Sequence, residues 1–394
     1  MNSGLVSYKR VLKLELPERQ SAFLWGARKT GKSTFLKEHF PNCIRYDLLE
    51  SDLVLRLLKE PHRLREEILL FDEKQLRHPI IIDEIQKIPT LLDEVHWLIE
   101  NKGVHFILCG SSARKLKRTG VNLLGGRAWR YSMFPLVYKE IPDFDLLRAL
   151  NAGLVPSHYR SSNYRKSLKA YIIDYLNQEI KEEGLVRNLA AFARFLDSLA
   201  FSHGELTNYS NIASDCGVDA KTVQEYYQIL VDTHLGYRIG PFAKRVSRDL
   251  IRSMPKFYLF DVGVATHISK NSINALQGEI AGKAFEHFIL MELVAYCGYS
   301  DLDFSIQFWR TKTGLEVDFI LDRGAIAIEV KISDRIGKHD LKGLLAFTEE
   351  HKTKKAFLVS NEKRARRIQQ DTSPIDILPW KTFLDLLWNG EVIA

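Results

Sequence analysis

At roughly 150 residues per domain, a chain of 394 residues is expected to form about two or three domains. Its 45% apolar and 27% charged residues are those of a soluble globular protein and exclude a disordered or fibrous one. Lys+Arg 56 against Asp+Glu 49 leaves a net +7, which permits a nucleic-acid partner without requiring one. No apolar run approaches the ~18 residues of a membrane helix. The stretch from Met1 to Arg10 lacks the apolar core and cleavage site of a secretory signal. The cysteines, Cys43, Cys109, Cys216 and Cys297, are scattered, which argues against a disulfide scaffold or a cysteine-rich zinc site. A cytoplasmic protein with no membrane partner is therefore expected.

From about Ser21 to Ile141, short apolar runs alternate with amphipathic stretches. Phe23-Leu24-Trp25 runs into glycine, Ile80-Ile81-Ile82 into Asp83-Glu84, and Val104 to Cys109 into Gly110-Ser111-Ser112. These read as buried parallel strands with crossover helices, one of them over Thr90 to Asn101. From about Asp143 to Gly240 the pattern is helical, with apolar positions at helical spacing over Leu168 to Glu182 and Leu189 to Phe201. Strand-like pieces return at Phe257–Phe260, Phe304–Trp309, Val317–Leu321, Ala325–Val330 and Ala356–Val359, with a long helix over Ile280 to Tyr296. The expected division is 1–142, 143–250 and 251–394.

Gly26-Ala27-Arg28-Lys29-Thr30-Gly31-Lys32-Ser33 matches G-x-x-x-x-G-K-[ST], follows an apolar strand and leads from Thr34 into a helix. Glycines let such a loop curl its N–H groups around phosphate. Lys32 is expected to reach the β- and γ-phosphates of ATP, and Ser33 to ligate Mg2+. The strand ending in Asp83-Glu84 supplies a metal-holding carboxylate, Asp83, and a carboxylate that orients or deprotonates the attacking water, Glu84. Ser112 either senses the γ-phosphate or caps the helix after it. Arg114 and Arg127 are candidates for stabilising transition-state charge; if a neighbouring subunit supplies one, the protein works as a homo-oligomer. Either is otherwise an ordinary surface charge.

Leu206 to Leu230 reads as helix, Gly217-containing turn and second helix, with Asp219 as N-cap and Val223, Tyr227 and Leu230 on a buried face. Lys221, Thr222, Gln224 and Glu225 would be exposed near the start of the second helix, and such a unit serves DNA reading or subunit joining equally well. Basic groups cluster at Lys115, Lys117 and Arg118, at Lys244, Arg245, Arg248, Arg252 and Lys256, and at Lys363, Arg364, Arg366 and Arg367. These are phosphate tracks or solvated faces.

Near the end, Glu316 to Leu321 and Ala325 to Lys331 read as two strands joined by Asp322-Arg323-Gly324. A hairpin places Asp318 near Glu329, and Glu329 and Lys331, two apart, share a face. Two acids and a lysine suit Mg2+ binding and charge stabilisation at a scissile phosphate, with Glu286 as a further acid. The bland reading is a salt-bridged strand face.

The chain as a whole resembles the prokaryotic AAA-type ATPases that carry a C-terminal domain of the restriction-endonuclease-like PD-(D/E)XK superfamily. The resemblance rests on Gly26-Ala27-Arg28 with Gly31-Lys32-Ser33-Thr34, on Ile82 to Gln86, on Gly110 to Leu116, on Gly126-Arg127 and on Phe134-Pro135-Leu136 with Glu140. It continues through Pro255 to Tyr258 with Asp261-Val262-Gly263, Gly282 to Glu286, Glu316 to Phe319 and Ile328 to Lys331. It implies an α/β fold: a P-loop NTPase parallel sheet with flanking helices, a helical or winged-helix middle, and an α/β restriction-endonuclease-like end. The resemblance fixes architecture rather than biology; the ordered motifs around Lys32 and Asp83 give the expected function, a Mg2+-dependent ATPase whose nucleotide state controls a winged-helix and nuclease-like module acting on DNA. The alternative is a nucleotide-regulated docking protein with an inactive nuclease-like domain and a protein partner.

Overall fold

The structure, a computed structural model, describes residues 8–17, 20–112, 114, 116, 124–172, 188–243, 254–370 and 372–393. Among them a five-stranded and an eight-stranded sheet form, and the chain packs as two compact units.

One unit comprises Lys9–Pro135 together with Ile229–Leu235. The apolar runs become β1 (Ser21–Trp25), β2 (Arg45–Asp47), β3 (Ile80–Asp83), β4 (Phe106–Gly110) and β5 (Ala128–Ser132). All neighbours are parallel in the order β2-β3-β4-β1-β5. The central strands β1, β3 and β4 are apolar on both faces because both faces are covered. Phe23, Ile80, Ile82, Phe106 and Leu108 pack with Leu91, Val95 and Leu98 of the Leu91–Lys102 helix, which ends at Gly103. The register pairs Trp25 with Gly110 and Ile82 with Leu108. The carboxyl ends of β1, β3 and β4 therefore lie along one sheet edge, where open α/β sheets place their ligands.

The other unit comprises Met1–Tyr8, Leu136–Gln228 and Gly236–Ala394. Its helices include Leu189–Ser202 and Tyr209–Cys216, and Ala220–Asp232 begins in it. Asn208 caps the second of these with its side-chain oxygen, and Gly217 ends it in left-handed backbone, φ 67°. The Asp219 carboxylate accepts the Thr222 N–H at 2.9 Å, the N-cap its position suggested. Val223, Tyr227 and Leu230 are buried, while Lys221, Gln224 and Glu225 are exposed.

The eight-stranded mixed sheet runs β12-β13-β11-β10-β9-β8-β6-β7. Its strands are β6 (Gly236–Pro241), β7 (Lys256–Leu259), β8 (Ile306–Arg310), β9 (Glu316–Leu321), β10 (Ile326–Lys331), β11 (Lys355–Ser360), β12 (Arg366–Ile368) and β13 (Ile375–Pro379). Alternation along the strands splits the side chains between two cores. Phe319, Ile328 and Val359 pack with Phe285, Phe288 and Leu293 of the Gly278–Tyr299 helix. Ile320, Ala327 and Leu358 pack with Leu344 and Phe347 of the Lys342–Glu350 helix. The expected hairpin is β9 antiparallel to β10, with Phe319 opposite Ile328. The link between them is a tight left-handed turn, with Asp322, Arg323 and Gly324 all at positive φ. The helix expected over Leu168 to Glu182 lies partly outside the described residues; a helix covers Tyr164–Ala170.

Candidate functional site

The first candidate site is built on the shared edge of β1, β3 and β4. Directly after β1 the chain turns through Gly26, whose backbone has φ +155°; a Cβ there would sit 2.2 Å from the Met133 carbonyl oxygen, so only glycine lets the loop start this close to the neighbouring strand. The loop closes on itself through polar contacts. Thr30, buried, donates its hydroxyl to the Ala27 carbonyl at 2.8 Å. Lys32, also buried, donates its ammonium to the carbonyls of Gly26 and Ala27 at 2.7 and 3.0 Å. Arg28 is half-buried, and Lys29, Ser33 and Thr34 are exposed. Gly31 at φ 99° leads into the Lys32–His39 helix, whose first turn has no side-chain cap. Uncapped amides at a helix start, a lysine and a turn opened by glycines form a ready anion cradle.

Ser33 Oγ donates to Asp83 Oδ2 at 2.5 Å, across 50 residues of sequence. A hydroxyl and a carboxylate in contact at the mouth of such a cradle are the oxygen donors that Mg2+ takes from a protein, so the residues fit that ion. Glu84 follows β3 in left-handed backbone, φ 57°, which is uncommon for a side chain of this size. Its carboxylate is fixed by the Gln86 amide, which also donates to Ser111 Oγ at 3.1 Å. Gln86 lies in the Ile82 to Gln86 segment of the resemblance, but its spacing gives it no role. It ties the acid after β3 to the turn after β4 and so sets where the Glu84 carboxylate points.

Ser112 is fully buried, and its hydroxyl accepts the Arg114 N–H at 3.1 Å, the contact of a capping residue. Arg114 donates to Asp232 at 2.6 Å, and Arg127 is paired with Glu100 and with the Gly125 carbonyl. Both arginines thus have acid partners within their own chain. Lys115, Lys117 and Arg118 lie outside the described residues.

The second candidate site is a pocket of about 220 Å³ in the other unit. Three strands each supply an i, i+2 pair to it: Lys256 and Tyr258 from β7, Glu316 and Asp318 from β9, Glu329 and Lys331 from β10. Lys331 meets Glu329 at 2.6 Å, and Asp318 Oδ2 accepts the Val330 N–H at 2.8 Å. Lys256, almost fully buried, meets Glu316 at 2.6 Å and Glu286 at 3.4 Å, and Tyr258 donates its hydroxyl to Glu286 at 2.5 Å. Asp318, Glu329 and Lys331 are therefore brought together as their spacing suggested. Glu316 and Tyr258 complete the cluster, and Lys256 belongs here rather than to a surface track. Their own i, i+2 spacing was the legible signal. Lys244, Arg245, Arg248 and Arg252 lie outside the described residues. Of the last basic cluster, Arg366 pairs with Glu362 and Arg367 with Asp376, while Lys363 and Arg364 are exposed.

Burial dominates the electrostatics of this pocket. Desolvation, reinforced by the Glu329 and Glu286 charges, holds Asp318 well above the usual carboxylate range. Burial pushes Glu329 up to about 7, against the opposing pull of Lys331. Burial disfavours the Lys331 and Lys256 ammoniums, yet the surrounding carboxylates outweigh it and raise both. Glu329 Oε2 is buried with no hydrogen-bond partner, an orphan acceptor that a cation would satisfy. Among the described residues no three His, Cys, Asp or Glu side chains converge as a ready metal cage.

Comparison with known proteins sets the class. Residues 18–142 match the AAA domain family, 143–274 match the domain of unknown function DUF8612, and 281–383 match the domain of unknown function DUF4143. The chain thus combines an AAA-type P-loop nucleotide-binding domain with a C-terminal α/β domain. It is similar to the uncharacterized proteins Rv2008c of Mycobacterium tuberculosis and Mb2031c of Mycobacterium bovis. Each is 25% identical over 250 residues, 62% of this chain and 56% of the relative. The chain thus spans a little over half the length of these relatives. A STAND-class signal-transduction ATPase with a tetratricopeptide repeat sensor from Pyrococcus horikoshii overlaps 73% of this chain and 46% of its own, at 12% identity and a TM-score of 0.19, too slight a likeness to carry an argument. No helix among the described residues is long and apolar enough to cross a membrane.

Proposed function

We propose that this protein binds and hydrolyses ATP with Mg2+, and that its nucleotide state controls a winged-helix and nuclease-like module acting on DNA. The observation that carries the first part is the contact between Ser33 and Asp83 at the mouth of the loop. In this reading, loop amides from Gly26 to Thr34 cradle the phosphates. The Lys32 ammonium exchanges its two loop carbonyls for phosphate oxygens, and Ser33 and Asp83 hold the metal. Bound there, Mg2+ would neutralise charge on the phosphates. Glu84, anchored by Gln86, orients the attacking water and takes its proton. Calorimetric titration of wild type with Mg–ATP should give saturable binding. Glu84→Gln should bind ATP within about twofold of wild type but turn it over about 100-fold more slowly, because only the proton-accepting group is lost. Equal turnover by Glu84→Gln would sink this assignment.

Residues 143–250 and 251–394 are read as the winged-helix and nuclease-like parts. Three helices followed by β6 support the winged helix; the antiparallel partner of β6, β7, and the bridge from Leu206 to Lys256 carry the pattern past residue 250. Asp318, Glu329 and Lys331 in one pocket support a metal-dependent phosphodiesterase site on DNA, with the orphan Glu329 Oε2 favouring a bound cation. The pairing of Glu286 and Glu316 with Lys256 favours the second reading, a docking module without cleavage, and a plasmid-nicking assay with Lys331→Ala separates the two. A homo-oligomer with Arg114 or Arg127 acting in trans would require each to leave its present acid partner. A cytoplasmic setting rests on the unpaired cysteines.

Metal binding in the second pocket carries its own pH test. Glu329, at about 7, and Asp318, held well above the usual carboxylate range, must lose their protons to ligate. Mn2+ affinity of the Asp83→Ala protein, which lacks the metal-holding carboxylate of the first site, is therefore expected to climb at least about tenfold per pH unit below about pH 7, the slope of one released proton, and more steeply where both are released. A flat profile would remove these two carboxylates from the metal site.

A further inference from the structure

We infer that Arg10, which lies ahead of the matched AAA segment, is a positioning residue of the nucleotide site. The inference rests on the nucleotide reading above. Arg10 Nη1 donates to the Thr30 carbonyl at 2.6 Å, and Nη2 donates to the carbonyls of Phe134 at 2.7 Å and Pro135 at 3.3 Å. The guanidinium thus joins the phosphate loop to the segment just past β5. The stretch that carries it is held in place independently: Leu12 and Leu14 are buried, and Tyr131 of β5 donates its hydroxyl to the Glu15 carbonyl at 3.0 Å.

The geometry of the peptide unit gives this contact its meaning. Thr30 and Gly31 share a trans peptide plane, in which the C=O and N–H bonds point in opposite directions. Fixing the Thr30 carbonyl on Arg10 therefore fixes the Gly31 N–H on the other side of that plane. Gly31 has φ 99°, and its own carbonyl already accepts the Phe35 N–H at 2.9 Å in the first helical turn. Without Arg10 the Thr30–Gly31 peptide is free to rotate, because glycine resists neither sense of φ. With it, the amide that precedes Lys32 is set before any anion arrives. The position of Gly31 places the guanidinium close by: a Cβ on Gly31 would lie 3.5 Å from Arg10 Nη1. The cation thus stands beside the phosphate loop without being one of its residues. A lysine would keep the charge, yet its single nitrogen lacks the rigid fork that spans carbonyls on two separate segments.

A merely structural Arg10 would only fasten the N-terminal stretch, and Tyr131 gives the control, since Tyr131→Phe releases the same stretch at a point away from the loop. The experiment measures Mg–ATP affinity by calorimetry, with nucleotide-free thermal unfolding, for wild type, Arg10→Gln, Arg10→Lys and Tyr131→Phe. Arg10→Gln is expected to weaken Mg–ATP binding about tenfold or more, Arg10→Lys about threefold, and Tyr131→Phe less than about twofold. Hydrogen exchange over residues 26–33 should quicken in Arg10→Gln without nucleotide and stay unchanged in Tyr131→Phe. If Arg10→Gln does not fold, Arg10→Lys decides, and wild-type affinity in that variant counts against the inference. Arg10→Gln binding within about twofold of a wild type that does bind, or equal losses in Arg10→Gln and Tyr131→Phe, would overturn the role of Arg10 alone. A wild type with no Mg–ATP affinity would overturn the nucleotide reading and this inference with it.

Discussion

Lys32→Ala is expected to lower Mg–ATP affinity by about 100-fold, read by calorimetric titration against wild type. The size follows from what the side chain does in both states. Buried at 6% exposure, it already satisfies the Gly26 and Ala27 carbonyls, so it is held beside the cradle and pays little further ordering entropy on meeting a phosphate. Truncation removes a desolvated, charge-assisted donor from the ligand and leaves two carbonyls of the loop without it. Because those carbonyls lie within the loop itself, nucleotide-free stability should fall too, though by much less than the binding energy. Unchanged affinity would mean that the anion cradle described here does not receive triphosphate.

Asp261→Ala is expected to destabilise its unit by about 4 kcal/mol, measured as a loss of denaturation midpoint at constant slope. Asp261 is fully buried and accepts three backbone N–H groups: Leu154 at 2.6 Å, Val155 at 3.2 Å and Val264 at 3.0 Å. It caps the Val262–Ile268 helix and at the same time fastens the turn between the helices Leu146–Ala152 and Pro156–Arg160. Alanine would strand all three donors away from water, and each stranded donor costs about 1–3 kcal/mol. Asp261→Asn keeps one acceptor oxygen and should cost roughly half as much. Burial raises the Asp261 carboxyl to about 6 despite the three donors. A raised carboxyl favours the fold most when protonated, so this residue's contribution declines as pH climbs from its unfolded range near 4 through 6. The motif Asp261-Val262-Gly263, read from sequence as part of a family resemblance, is in this structure a packing device.

Local chemistry was legible in the sequence because it is written in neighbours. The strand–loop–helix around Lys32, the acid-terminated β3 and the β9–β10 hairpin all follow from periodicity and turn residues within a few positions. The pairs Glu329–Lys331 and Lys256–Tyr258 follow from the two-residue repeat of a strand. What sequence spacing could not supply were contacts between distant segments. Lys256 meets Glu316 across 60 positions of chain, so its basic neighbours in sequence suggested a surface track, while the fold places it among acids. Arg10 reaches Phe134 across 124 positions, and no local pattern marks a lone arginine in an extended stretch. Arg114 and Arg127 read alike as free cations, yet each has a chosen acid partner that only tertiary structure selects.

The short return of the chain at Ile229–Leu235 into the unit that begins at Lys9 sets an order of events during synthesis. Asp232, the partner of Arg114, is made 118 positions after it. A nascent chain that has emerged only through the five parallel strands therefore still lacks a piece of that domain, and the ribosome must deliver roughly another hundred residues before it is whole. A gene truncated near residue 142, the limit of the matched AAA segment, would encode a product with an unfilled slot and an unneutralised arginine.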